Sequence, residues 1–168
     1  MRCRTFTRPL SLLVLASLFS LLTACGFHLR GAADVPAEKQ NVTLQTGSAS
    51  SELTDSLKRT LRYNGITQTS NASQQIVIVS SRYKRRAATL SSRSEVDEYE
   101  LSLEVSFHLA DQEGNPTTSD IRLQQERVYT YNRNAAAASA EQERLLRQEL
   151  HDAMAQSILR RYLASNPR

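Results

Sequence analysis

Residues 99–109 read YELSLEVSFHL. Tyr99, Leu101, Leu103, Val105, Phe107 and Leu109 fall on one parity. Glu100, Ser102, Glu104, Ser106 and His108 fall on the other, and Glu98 extends the polar set. Side chains alternate between the two faces of a strand, so this stretch predicts an antiparallel strand with one face on a core and the other in water. Such a strand needs neighbours on both sides and a layer to cover its apolar face.

The neighbours are readable on either side. DQEGNP at 111–116 is a turn. Residues 121–131 predict the next strand, with Ile121, Leu123, Tyr129 and Tyr131 on one parity; Gln125 and Arg127 interrupt that face, which predicts a bulge or a sheet edge. Upstream, residues 76–86 (IVIVSSRYKRR) begin apolar on both faces and end basic, which predicts a central strand. The serine-rich residues 89–94 suit the hairpin loop between that strand and the 99–109 strand. NVTLQT at 41–46 alternates and predicts a first strand.

The covering layer comes from two helical periods. Ser50 or Ser51 can cap a helix carrying Leu53, Leu57 and Leu61, and Asn64-Gly65 can close it, with Ile66 folding back on the last turn. From 138 to 163, Leu146, Leu150, Met154, Ile158 and Tyr162 recur every four residues. Glu141 and Glu143 near the start and Arg160 and Arg161 near the end complement the helix dipole. The order strand-helix-strand-strand-strand-helix predicts an α+β two-layer sandwich: two helices packed on one face of a four-stranded, largely antiparallel sheet.

The start of the chain reads differently. Arg2, Arg4 and Arg8 precede an apolar run over 10–22, with no acidic residue before Asp34. The run is shorter than the ~20 residues a spanning helix needs, and its basic start and small-residue end describe an export signal. Leu22-Thr23-Ala24-Cys25 resembles the lipobox of bacterial lipoproteins. The resemblance implies cleavage before Cys25, a diacylglycerol on its sulfur and a fatty acid such as palmitate on its freed amine. Residues 1–24 are then a signal peptide, 25–39 a lipidated N-terminus and tether, and 40–165 the α+β domain. Each buried CH₂ of an acyl chain contributes about 0.8 kcal/mol, and more than one chain makes attachment stable. Gly26 follows Cys25, and similarity to enterobacterial sorting rules points to the outer membrane. Cys3 leaves with the signal, so the remaining chain forms no internal disulfide.

Charge and motifs narrow the function. The chain has 21 basic and 17 acidic side chains, and the signal removes three arginines and no acid. The remainder is close to neutral, which excludes a wholesale nucleic-acid binder. His28, His108 and His151 have no metal-ligand spacing and read as surface histidines. No serine stands in a G-x-S-x-G context and no glycine-rich phosphate loop occurs. Glu98, Glu100 and Glu104 share a strand face and read as solvating or cross-strand pairing groups. No enzyme, cofactor or metal site is expected. The one charge cluster is Arg82, Lys84, Arg85 and Arg86, with Arg93 across the loop. Arg82 and Lys84 can pair across the sheet with Glu98 and Glu100. Arg85, Arg86 and Arg93, nearer the loop tip, are the candidates for phosphate contact, since a guanidinium grips phosphate with two hydrogen bonds.

CGFHLRG at 25–31 resembles the start of the mature chain in the LptE family of lipopolysaccharide-assembly lipoproteins. The strand-helix-strand-strand-strand-helix layout and the Glu98-Tyr99 entry to the long strand are similar as well. The resemblance implies a non-enzymatic plug and assembly factor, one-to-one inside the LptD outer-membrane β-barrel, that binds lipopolysaccharide through basic residues near one end of the domain. Arg93 lies where that family carries one such residue. A second would fall at 135–138, which are all alanine here, with Arg133 the nearest base. The other reading is a free lipid-anchored periplasmic chaperone or carrier for an acylated ligand. It would need a cavity lined by large apolar groups, and aromatic residues are only 6% of the chain.

Overall fold

In the computed structural model the described residues are 35–90 and 96–165. Five strands and two long helices follow one another as β1 (Asn41–Gln45), α1 (Ser51–Tyr63), β2 (Thr67–Gln68), β3 (Gln74–Leu90), β4 (Val96–Asp111), β5 (Ile121–Thr130) and α2 (Ala136–Ala164). The sheet order is β2-β1-β3-β4-β5. The expected α+β layering is present, with one sheet and two helices. The strand count is corrected from four to five, and the order gains a strand after the first helix. The sheet is also mixed: β3, β4 and β5 form an antiparallel meander, while β1 runs parallel to both β2 and β3.

The ends of α1 explain how the extra strand arises. The Leu53 N–H donates to Ser50 Oγ at 3.2 Å, capping the first turn. At the other end Gly65 has φ 74°. The Gly65 N–H donates to the Arg62 carbonyl and the Ile66 N–H to the Leu61 carbonyl, at 3.1 and 2.9 Å. This is the Schellman closure, and it turns the chain so that buried Ile66 packs back on the core. Thr67 and Gln68 then run beside Asn41 and Val42. Both are exposed and they are only two residues long, so no alternation could mark them in the sequence.

β3 is central, as its apolar start requires. Ile76 and Ile78 lie opposite Leu109 and Phe107 on the helix-covered face. A register shift between Ile78 and Ser80 leaves Val79 as an extra residue. Beyond it the parity is reversed: Ser81, Tyr83 and Arg85 face the helices, opposite Val105, Leu103 and Leu101. Ser80, Arg82, Lys84 and Arg86 take the open face. β5 pairs with β4 without a shift and is an edge strand. Gln125 and Arg127 sit on its helix-covered side because α2 answers them there. Gln125 Nε2 donates to Ser157 Oγ at 3.3 Å, and Arg127 Nε lies 3.7 Å from Glu149.

α2 covers the sheet with Leu150, Met154, Ile158 and Tyr162, all fully buried, and packs along α1. Lys39, the last residue of a short 3₁₀ turn, is 2% exposed. Its Nζ donates to the carbonyls of Tyr162 and Leu163 at 2.9 and 2.8 Å, and also to that of Ser165. Those are the orphan acceptors of a helix C-terminus, where a cation is favoured. The Tyr162 hydroxyl donates in return to the Lys39 carbonyl at 3.2 Å, and burial pushes its pKa up to about 12.

His151 corrects the expectation of surface histidines: it is 3% exposed. Nδ1 lies 2.8 Å from the Arg147 carbonyl, so that nitrogen carries the proton of the neutral ring. Burial lowers its pKa below the ordinary 6.5. As pH falls, the unfolded chain therefore takes up a proton before the folded one does. The neutral ring's contribution is complete above 6.5 and is lost as pH falls toward the folded-state value. Urea unfolding between about pH 7.5 and pH 5 should show stability falling over that window. His151→Gln, which keeps a donor for the Arg147 carbonyl, should flatten the slope; an unchanged slope would place the pH dependence elsewhere.

Candidate functional site

The hairpin of β3 and β4 carries the basic cluster, and the register fixes where each member points. On the open face Arg86 lies across from Glu100, Ser102 from Lys84, and Glu104 from Arg82. Arg86 grips Glu100 with two bonds, Nε to Oε1 at 2.7 Å and Nη2 to Oε2 at 2.8 Å. That hydrogen bonding holds the Glu100 carboxyl below its ordinary range and raises Arg86. Lys84 Nζ reaches diagonally to Glu104 at 3.3 Å. Arg82 has no ion partner among the described residues. The expected cross-strand pairing is therefore real, but it engages Lys84 and Arg86 rather than Arg82 and Lys84, and through Glu104 and Glu100 rather than Glu98. Glu98 accepts instead from Thr89 Oγ1 at 3.1 Å.

Arg85 points the other way, under the first half of α2. Its Nε lies 3.0 Å from Glu143 Oε2 and its Nη2 donates to the Tyr129 hydroxyl at 3.1 Å. The guanidinium stacks 3.5 Å from the centre of the Tyr99 ring. The Tyr129 hydroxyl donates to Glu143 Oε2 at 2.6 Å. Arg147 donates to the other oxygen of Glu143 at 3.2 Å and lies over Tyr83 at 4.7 Å. Tyr99 stacks on Tyr129 and meets Tyr131 edge-on, with ring centres 5.8 and 5.5 Å apart. One carboxylate thus holds two guanidinia and a phenol, and ties the hairpin to α2. Sequence reading missed this centre. Its signal was Glu143 in the covered half of a helix whose facing strands carry Arg85 and Tyr129 on their core parity.

Of the phosphate-contact candidates, Arg85 is in this network and Arg86 is exposed but bound to Glu100. Arg93 lies outside the described residues, as does Cys25. Arg133 opens a short turn that leaves β5 beside the hairpin, where the Tyr131 N–H donates to the Asp97 carbonyl at 2.8 Å. Among the described residues no cluster of ligating side chains could hold a metal ion, and no helix is long and apolar enough to cross a membrane.

The sequence profile of a family described as LptE, Lipopolysaccharide-assembly, matches residues 37–162. The chain belongs to that family. Its role accordingly lies in lipopolysaccharide assembly, as a lipoprotein. Among curated relatives, the LPS-assembly lipoprotein LptE of Pectobacterium atrosepticum is 28% identical, over 99% of this chain and 89% of its own length. That of Photorhabdus laumondii is 25% identical over 97% and 87%. The fold matches solved lipoproteins of similar size. A minor lipoprotein from Acinetobacter baumannii has a TM-score of 0.63 at 24% identity, covering 77% of this chain and 98% of that one. Lipoprotein B from Nitrosomonas europaea gives 0.66 at 24%, covering 83% and 91%.

The Glu143 centre makes a prediction of its own. Glu143→Ala leaves Arg85, Arg147 and the Tyr129 hydroxyl without their shared acceptor in a half-buried place. Denaturant unfolding should show a loss of about 1–3 kcal/mol. A change within experimental scatter would mean that solvent replaces the carboxylate at no cost.

Proposed function

We propose that the chain is an outer-membrane lipoprotein, anchored through Cys25, that fills the lumen of the LptD β-barrel as plug and assembly factor and binds lipopolysaccharide. The observation that carries this reading is the LptE family match across residues 37–162, nearly the whole folded domain. Its curated relatives are named LPS-assembly lipoproteins. The uncovered face of the sheet suits the plug role. Arg86 and Lys84 are paired there with Glu100 and Glu104, so the hairpin half of that face can enter a wet lumen without bringing an uncompensated ridge of charge. Extraction in mild non-ionic detergent should recover the chain one-to-one with a large β-barrel. Recovery of the chain alone favours the carrier reading. Cys25→Ser should abolish incorporation of labelled fatty acid, and undiminished labelling would end the lipobox reading.

The ligand contact is assigned to the hairpin end, through Arg85, Arg86 and Arg93. The bonds of Arg86 to Glu100 use Nε and Nη2, and its side chain is 70% exposed, so part of the guanidinium still faces solvent. Arg85 also supports the fold through Glu143, so Arg86→Glu with Arg93→Glu is the cleaner pair. A charge-assisted contact contributes about 1.5–3 kcal/mol, so the pair should weaken lipopolysaccharide binding more than tenfold, on the order of 1.4 kcal/mol or more. The unfolding midpoint should move little. Undiminished binding by the folded double variant would remove this patch as the ligand site and leave the plug reading standing.

A further inference from the structure

The open face of the sheet carries two arginines that its ion pairs do not use. Lys84 and Arg86 are committed to Glu104 and Glu100. Arg82 and Arg122 have no ion partner among the described residues, and both line one hollow of about 520 Å³. Its floor follows from the register. Ser80 lies directly across from Ser106, and Ser106 from Arg122, so two small side chains sit between longer ones. The Val79 bulge stands at the rim. Neither serine hydroxyl has a hydrogen-bond partner among the described residues. The wall also holds two carboxylates, and both are engaged elsewhere: Glu104 with Lys84 at 3.3 Å and Asp120 with His108 Nδ1 at 3.1 Å. What remains uncommitted is two guanidinia and two hydroxyls.

Arg82 and Arg122 stand on β3 and β5, two strand spacings apart and two residues offset along the strands, roughly 12 Å on the diagonal; Arg82 lies next to Ser80 and across from Glu104, and Arg122 across from Ser106. Guanidinia grip tetrahedral oxyanions through paired hydrogen bonds, and serine hydroxyls supply further donors. We propose that this hollow binds a phosphate-type oxyanion, held from opposite flanks by Arg82 and Arg122 over the Ser80–Ser106 floor. The hollow has room for more than one phosphate, so the ligand class extends to a diphosphate or a phosphate monoester on a larger polar group. The site shares no residue with the hairpin end and does not depend on the ligand contact assigned there.

The test is titration of the full chain in non-ionic detergent with inorganic phosphate, with pyrophosphate, and with micelles of one glycolipid in phosphorylated and dephosphorylated forms. Binding isotherms give affinity, and amide NMR shifts at Ser80, Ser106 and Arg122 give location. Saturable binding of a phosphorylated probe is expected, with shifts at those amides. Arg82→Gln and Arg122→Gln should each weaken it about tenfold or more. Lys58→Gln, the same charge loss on the exposed side of α1, should leave it unchanged. Binding of the inorganic probes assigns a soluble source, and binding of the phosphorylated glycolipid alone assigns a lipid headgroup; either supports the site. The proposal is overturned if no phosphorylated probe saturates. It is equally overturned if the dephosphorylated glycolipid binds as well, or if Lys58→Gln weakens binding as much as the two hollow variants do.

Discussion

The single extra residue at Val79 is the constraint on which the two faces of this domain depend. A strand keeps its faces by strict alternation, and one inserted residue exchanges them. Ile76 and Ile78 have the same parity as Arg82, Lys84 and Arg86. In an unbroken strand those three cations would share the core face with the isoleucines, opposite Leu103, Leu101 and Tyr99. Burying unpaired cations there would cost far more than a domain of this size can spare. The shift between Ile78 and Ser80 lets one strand donate its first half to the core on even positions and its second half on odd ones. The charged half is then delivered to the open face, where β4 meets it with glutamates.

Much of the layering was legible because it rests on period alone. The β4 stretch kept its parity over its whole length, so its faces could be assigned residue by residue. The leucines of α1 and the four-residue spacing in α2 announced their buried stripes, and Ser50 and Gly65 marked the ends of α1. What escaped the sequence depends on partners distant in the chain. β2 is two exposed residues placed by the closure of α1 and by the edge of β1. Gln125 and Arg127 looked like breaks in an apolar face, yet the face is continuous: it changes from apolar to polar, and α2 changes with it through Ser157 and Glu149.

The site was half legible for the same reason. Strand alternation sets Arg82, Lys84 and Arg86 on one face and Arg85 on the other, and the register keeps them so. Which carboxylate each cation takes could not be read, because cross-strand partners depend on register to the residue. Arg86 finds Glu100 directly opposite, whereas Lys84 finds Ser102 opposite and reaches to Glu104. The centre around Glu143 joins four elements, β3, β4, β5 and α2. Its aromatic rings give the hairpin end a rigid, partly polar interior in place of the aliphatic packing that serves the other half of the sheet.

Lys39 sets a distance. Its ammonium is fastened to the last turn of α2, and the hairpin is fastened through Arg85 and Glu143 to the first turns of the same helix. The span of that helix from Glu143 to Leu163, rising about 1.5 Å per residue, is a strut of roughly 30 Å. The chain therefore enters the domain at one pole while the basic hairpin is held at the other. A pull on the entering segment loads the grip of one ammonium on three carbonyls and passes along the helix axis, where the backbone hydrogen bonds are in line with the force. Whatever fixes the entry point in space also fixes, through that strut, how far away the hairpin works.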